Sequence, residues 1–480
     1  MNHVISLKCL ICGKEYAPGE VDYVCPDHGY DGILDVQYDY GLISLTFSPA
    51  TLAANPDRSI WRYKPLLPIA PDSPVPPLAV GWTPLYEAPR LAESLGLRYL
   101  WVKDDGRQAT ASFKDRASAI AVVKAREKGA KVITTASTGN AAAALSGLCA
   151  SVQQPNVIFV PETAPPAKVA QLLAFGSTVL LVHGTYDDAF ELCLRAADAY
   201  GWYNRNTAYN PYMTEGKKTV SFEICEQLTL TPGPSPKGRG ESPHPRPLSQ
   251  GGGGESPHPR PLSQGGRGES PHPRPLSQGG RGEKWEAPDA IFVSVGDGCI
   301  IGGVHKGLKD LLALGWIDHM PRLYGVQAAG SNFMAEAWEA GLHGLRVLEK
   351  APIQAHTVAD SISAGLPRDR IKAMAAVVDT DGAYITVTDE EILAAIPALA
   401  RGCGVFAEPA GAAGYAGLVK AAAQGLVRPD ERIVVINTGS GLKDIKSAMT
   451  AVEQVGTRPY RVEPSLADLE RVMQAVNGKR

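Results

Sequence analysis

Lys114 lies in the polar run Ala109-Thr-Ala-Ser-Phe-Lys114-Asp-Arg116, just ahead of an amphipathic stretch, so it falls at the N-terminal end of a helix. The helix macrodipole disfavours a cation there, and that penalty favours the neutral amine that imine chemistry requires. A solvated lysine is the plain alternative. Ser137-Thr138-Gly139-Asn140 follows an apolar strand and offers hydroxyls, an amide and backbone N–H groups for an anion or a ring oxygen. Simple helix capping by Ser137 or Thr138 would explain the same residues. Val295-Gly-Asp-Gly-Cys-Ile-Ile-Gly-Gly303 is a glycine loop between a strand and a helix. Such a loop lets backbone amides close on a phosphate. It differs from the dinucleotide fingerprint, and no acid is placed for a ribose. In Asn437-Thr438-Gly-Ser-Gly-Leu-Lys-Asp444, Thr438 could offer its hydroxyl to a heteroaromatic nitrogen. Each signal alone is modest; four of them at strand ends point to one site.

A separate constellation stands at the N-terminus: Cys9-x2-Cys12-x12-Cys25-x2-His28. Two tight pairs about a dozen residues apart suit one tetrahedral ion, each pair forming a knuckle. Gly13, Pro26 and Gly29 supply the turns. A closed four-ligand site leaves no position for substrate, so a structural zinc ion with a role in folding is expected. The other five cysteines lie in apolar stretches and read as core.

The elements that must position these residues are those of an α/β fold. From residue 98 onward, short apolar strands (98–103, 131–136, 156–161, 178–183, 290–295, 322–328 and 432–437) alternate with amphipathic helices (114–128, 140–150, 167–175, 185–200, 302–314, 389–401 and 410–424). Apolar strands separated by helices mean a mainly parallel sheet covered on both faces. Ligands of such folds gather at strand C-terminal ends and helix N-termini. The chain has 480 residues, 44% hydrophobic and 20% charged, with a net charge of −3. That size predicts about two or three domains. The near-neutral balance argues against a nucleic-acid partner. No apolar run is long enough for a membrane span, and the first residues lack the pattern of a signal peptide, so a cytoplasmic protein is expected.

Residues 241–254, 255–268 and 269–282 repeat one 14-residue unit built on Glu-Ser-Pro-His-Pro-Arg-Pro-Leu-Ser-Gln. Twelve of the 38 prolines and 13 of the 50 glycines lie within 231–282, a composition that cannot repay its ordering entropy. Removing 229–284 would leave a short helix-to-strand connection, so the segment reads as a disordered insert in a finished fold. His244, His258 and His272 recur only because the unit does.

The motifs Thr83-Pro-Leu85, Ser112-Phe-Lys-Asp-Arg116, Ser137-Thr-Gly-Asn140, the 296–303 loop, Glu408-Pro-Ala-Gly-Ala412 and Thr438-Gly-Ser-Gly-Leu-Lys-Asp444 occur in this order. In this the chain resembles the threonine synthases, pyridoxal-phosphate enzymes of the tryptophan-synthase-β type (fold type II), over roughly 5–455 apart from the insert. The resemblance implies two sheet domains sandwiched by helices. The large cofactor domain would span 41–114 and 204–460, with the 229–284 insert, and the smaller substrate-side domain 115–203. A zinc-knuckle segment at 1–40 and a tail at 461–480 would complete the chain.

The resemblance also implies roles. Lys114 would carry pyridoxal 5′-phosphate as an imine. Gly296, Asp297, Gly298, Cys299 and Ile300 would cradle its phosphate, Asp297 turning its side chain away. Asn140 would meet the ring 3′-oxygen and Thr438 the pyridine nitrogen. Ser137, Thr138 and Gly139 would grip the substrate carboxylate, with Asn206 and Arg116 as further substrate contacts. The implied reaction converts O-phospho-L-homoserine and water to L-threonine and phosphate, in a homodimer whose partner is a small-molecule amino acid. Met213 stands where many members place a substrate-phosphate arginine, and Ile300 where asparagine is frequent. Arg116, Arg205 or Lys217 would then supply the charge. These two positions keep an alternative open: dehydratase-like β-elimination, or β-replacement on another activated amino acid.

Overall fold

The computed structural model describes residues 3–137, 139–162, 164, 166–184, 186–230 and 284–477. The repeats of the insert and Thr138 lie outside them. Strands β1 (Val4–Cys9), β2 (Glu15–Tyr16) and β3 (Leu34–Tyr38) form a small antiparallel sheet in the order β2-β1-β3. β4 (Leu85–Glu87) and β5 (Tyr99–Asp104) come next. They are followed by β6 (Ile133–Ala136), β7 (Asn156–Pro161), β8 (Thr178–Val182) and β9 (Tyr203–Asn204), then by β10 (Ala290–Ser294), β11 (Arg322–Ala328), β12 (Ala383–Val387) and β13 (Arg432–Asn437).

Two sheets carry the site. The larger has the order β12-β11-β10-β13-β5-β4 and is parallel except for the edge pair β4–β5. The smaller, β8-β7-β6-β9, is parallel throughout and draws all its strands from 133–204. In the larger sheet, β10 and the Ile433–Asn437 run of β13 are buried at every position, as expected of strands covered on both faces. All the α/β strands expected from apolar runs are present, and so are the seven helices, with ends shifted by up to three residues. The short strands β4, β9 and β12 carry no run long enough to stand out. Thr388 caps the helix Asp389–Cys403 in a capping box with Glu391.

The helix Thr219–Leu230 ends where the insert begins, and the Glu286 backbone N–H donates to Thr229 Oγ1 at 2.7 Å on the other side of it. The two flanks therefore already meet. Replacing 231–283 with a short linker should leave the fold intact. Shortening a loop of that length to a few residues removes closure entropy worth about 2 kcal/mol at most. Urea unfolding of the shortened chain should give a midpoint equal to or above that of the full chain.

Candidate functional site

The Lys114–Glu127 helix begins at Lys114, its first residue. The turn ahead of it is pinned to the end of β13. Phe113 N–H donates to the Thr438 carbonyl at 2.9 Å, Ser440 N–H donates to the Ala111 carbonyl at 3.1 Å, and Ser112 bridges Gly439. Ala111 holds a φ of +64° to make this turn, a left-handed conformation uncommon for a residue with a Cβ. Lys114 and Thr438 thereby share one cleft of about 640 Å³, a volume suited to a cofactor with a small substrate. Burial pushes the Lys114 amine below its ordinary value. Arg205 adds to that push, against Cys299, Asp297 and Glu408.

The opposite wall is a helix N-terminus. Cys299–Ala313 is capped by Gly298 at a φ of +87°. A Cβ on Gly298 would lie 2.6 Å from the Ala373 Cβ, and one on Gly296 would lie 2.8 Å from the Ile362 Cα. Both positions demand glycine, and they leave the 296–300 backbone against the cleft. A helix N-terminus approached this closely is an anion cradle. Asp297 lines the cleft, and its carbonyl accepts from the Asp369 N–H at 2.9 Å.

Ser137, Gly139 and Asn140 line the cleft at the C-terminal end of β6. Asn140 Nδ2 donates to Glu408 Oε1 at 2.7 Å and lies 3.4 Å from Ser361 Oγ. Its carboxamide is therefore oriented, with the oxygen turned from Glu408. Asn206 also lines the cleft. Its oxygen is engaged by Thr135 Oγ1 at 2.8 Å and Ala136 N–H at 2.9 Å, so it fastens the strand end.

Arg116 is a correction to the sequence reading. It does not line the cleft but is fully buried beneath it. Its Nε and Nη2 donate to Asp105 at 2.6 and 2.9 Å, and Nη2 also donates to Glu223 Oε2 at 2.8 Å. Lys103 completes the cluster with an ion pair to Glu223 at 2.7 Å. A charge count along the sequence cannot reveal a partner 107 residues away. Met213 is likewise buried in the apolar core and away from the cleft wall. The segment 352–368 supplies much of the remaining wall, including Ser361 and Arg368. Sequence reasoning missed it because it has no periodicity. Glu408 was visible as part of a motif but had no role.

At the N-terminus the ligand atoms of Cys9, Cys12, Cys25 and His28 all lie within 4.8 Å of one another. Hydrogen bonds with Tyr16 and His28 outweigh burial and hold the Cys25 thiol down at about 6. That favours the thiolate a metal needs, and the donor set suits zinc.

The family described as "Pyridoxal-phosphate dependent enzyme" matches residues 77–237 and 277–439. The chain is 32% identical to a threonine synthase of Methanocaldococcus jannaschii, over 97% of this chain and 99% of that one. It is 34% identical to a threonine synthase of Methanosarcina acetivorans, over 98% and 99%. In three dimensions it is similar to a threonine deaminase of Solanum lycopersicum (TM-score 0.57, 21% identity, 78% of this chain and 83% of that chain). It is also similar to maize serine racemase (TM-score 0.55, 19% identity, 78% and 93%). The chain belongs to the pyridoxal-phosphate dependent enzymes and, within them, to the threonine synthase family. The cleft is chemically suited to that cofactor: it brings together a helix N-terminus with close backbone amides, a lysine, and a carboxamide oriented by Glu408.

The Arg116 cluster yields a prediction. Arg116→Met leaves two buried carboxylates facing one lysine and should cost about 3–5 kcal/mol. In the wild type, burial alone would raise the Glu223 carboxyl, but Arg116 and Lys103 outweigh it and hold it at about 2. Its contribution is thus complete above the unfolded value of about 4.3 and is lost as pH falls towards 2. From pH 7 to 3 the wild-type urea midpoint should fall as the Glu223 contribution is lost, whereas the variant, already low at pH 7, should fall less or rise, because protonation relieves a carboxylate buried without its arginine.

Proposed function

We propose that this chain converts O-phospho-L-homoserine and water to L-threonine and phosphate. The observation that carries the reading is the convergence of Lys114, the 296–300 helix N-terminus, Asn140 and Thr438 on one cleft. When bound, pyridoxal phosphate supplies an electron sink for the substrate's Cα carbanion. Lys114, its amine pushed down by burial, would hold the cofactor's aldehyde, and as a free amine it is placed to take the substrate's Cα proton as general base. Backbone amides of 296–300 bind the cofactor phosphate at the positive end of their helix. Asn140, aimed by Glu408, bonds the ring oxygen, and Thr438 offers its hydroxyl to the ring nitrogen. Because a hydroxyl carries no charge, it would leave that nitrogen largely unprotonated. Ser137, Gly139 and the Thr138 position between them take the substrate carboxylate. Removal of a Cβ proton and rupture of the Cγ–O bond release phosphate. Cγ then gains a proton, water adds at Cβ, and Lys114 returns the Cα proton.

Two domains divided as the two sheets divide would place the cleft between them. A homodimer belongs to the same reading, and the exposed apolar residues Leu442, Ile445 and Met449 near the C-terminus support it. We place the enzyme in the cytoplasm, where its eight free cysteines would stay reduced. Among the described residues no helix is long and apolar enough to cross a membrane.

Wild type incubated with O-phosphohomoserine should release threonine and phosphate in equal amounts, and Lys114→Ala should lose at least about three orders of magnitude of both. Phosphate without threonine would replace this reading with an elimination. For the N-terminal cluster we infer one zinc ion per chain. Elemental analysis should find one equivalent in the wild type and none in Cys25→Ser, with a lower melting temperature for the variant.

A further inference from the structure

Among the described residues, four buried lysines have partners. Lys103 meets Glu223 at 2.7 Å, Lys218 meets Glu215 at 2.6 Å, Lys306 meets Asp35 at 3.1 Å, and Lys372 donates to Thr214 Oγ1 at 3.2 Å. Lys217 differs. Its side chain is fully buried, and its ammonium has no hydrogen-bond partner. Burial pushes this amine down to about 7, so near neutral pH it stands between a neutral amine and an ammonium that an opposite charge from outside the chain would complete.

The surroundings identify that missing group. Lys217 ends the helix Tyr212–Lys217, and a Cβ on Gly303 would lie 2.6 Å from the Lys217 Cβ. The side chain therefore roots against the helix whose N-terminus forms the cleft's anion cradle. The charged and titratable groups acting on it are Cys299, Lys114, Arg205 and Asp369. One of these, Arg205, is a fixed cation, and Lys114 is an amine that burial holds below its ordinary value. Asp369 is shared: burial pushes its carboxyl above its ordinary value, and Lys372 acts against that push more than Lys217 does. Arg205 on the cleft wall, Lys217 buried behind it and a helix N-terminus together suit an anion with several acceptor oxygens. A phosphate monoester has that chemistry.

We propose that Lys217 is a phosphate-monoester ligand of this cleft, the buried counter-charge for a phosphate seated on the N-terminus of the Cys299–Ala313 helix. Two molecules could bring that group: the cofactor, or the phosphorylated substrate of the reading above, on which this second source rests. Met213, in the same short helix, offers no charge to either.

The test compares wild type with Lys217→Met, which keeps the side-chain volume and removes the charge. With cofactor-free protein, inorganic phosphate should raise the melting temperature of the wild type. The variant should need at least tenfold more phosphate for the same rise, although its own melting temperature without phosphate equals or exceeds the wild-type value. If the cofactor is the source, pyridoxal phosphate binds the variant at least tenfold more weakly in an absorbance titration, while pyridoxal binds both proteins alike. If the substrate is the source, cofactor affinity is unchanged and KM for O-phosphohomoserine rises at least tenfold with kcat nearly constant. Lys217→Arg should stay within about threefold of wild type throughout, and Lys217→Gln serves if the methionine variant does not fold. Phosphate, cofactor and substrate affinities all within twofold of wild type in the uncharged variant overturn the proposal. A wild type that makes no threonine would instead overturn the reading of the reaction and leave the phosphate and cofactor measurements standing.

Discussion

The site depends on a buried ionic cluster that never touches it. Arg116 sits two residues beyond Lys114 on the same helix and binds Asp105, just past β5, and Glu223, on the Thr219–Leu230 helix. Lys103 brings the count to two cations and two carboxylates, so the cluster is neutral as a whole. Thr83 closes it, donating from Oγ1 to Asp105 Oδ1 at 2.6 Å and accepting from Lys103 Nζ through its carbonyl at 2.7 Å. Fully desolvated pairs of this kind hold geometry more than they add stability. What they hold here is the first turn of the Lys114 helix, against the strand whose neighbour, β13, ends just before Thr438. A lysine that must present a neutral amine to one point in space needs a helix that cannot rotate. Five bidentate-capable donors on Arg116 give that constraint in a form lysine could not reproduce.

The N-terminal sheet makes sense on the same terms. Its cysteine and histidine cluster lies outside the cleft, yet the sheet backs the glycine loop. Ile33 packs with Ala208 and Cys299, Asp31 pairs with Arg370 at 2.7 Å, and Asp35 pairs with Lys306 at 3.1 Å. Arg370 follows Asp369, whose N–H holds the Asp297 carbonyl. A segment of about 40 residues has too little core to hold such a wall by itself, and four ligands drawn together within it give a physical reason for a metal.

Much of this was legible in the sequence, and the parts that were not share a cause. Lys114, Asn140, the glycine loop and Thr438 each stand at a junction where an apolar strand gives way to small or polar residues, and that contrast is local. The long strands and helices were legible because burial on both faces leaves unbroken apolar runs. Arg116 was misjudged because its partners, Asp105 and Glu223, lie on two other elements, and a charge has no visible partner until the chain folds. The 352–368 wall, with Ser361 and Arg368, lacks any period because it is loop and short 3-10 helix. Its residues act by where the fold puts them. Glu408 falls between these cases: its motif is conspicuous, but its hydrogen bond to Asn140 spans 268 residues.

The fold alone does not select the reaction. A threonine deaminase and a serine racemase superpose on this chain at about one fifth sequence identity, so a shared scaffold leaves the reaction to the side chains of the site. What distinguishes a substrate with a phosphate at Cγ from serine or threonine is a second doubly charged group that must be desolvated in the same cleft. Desolvating it without opposite charge would cost more than any apolar contact returns. The wall must therefore carry cations beyond those the cofactor engages, and a position such as Met213, buried in apolar core, cannot be one of them. Arg205 and Arg368 line the cleft, and Lys217 lies behind its anion cradle. In the proposed reading, selectivity for a phosphorylated amino acid would follow from how these three charges divide between two phosphates, a division made by side chains from separate segments rather than by the motifs that mark the family.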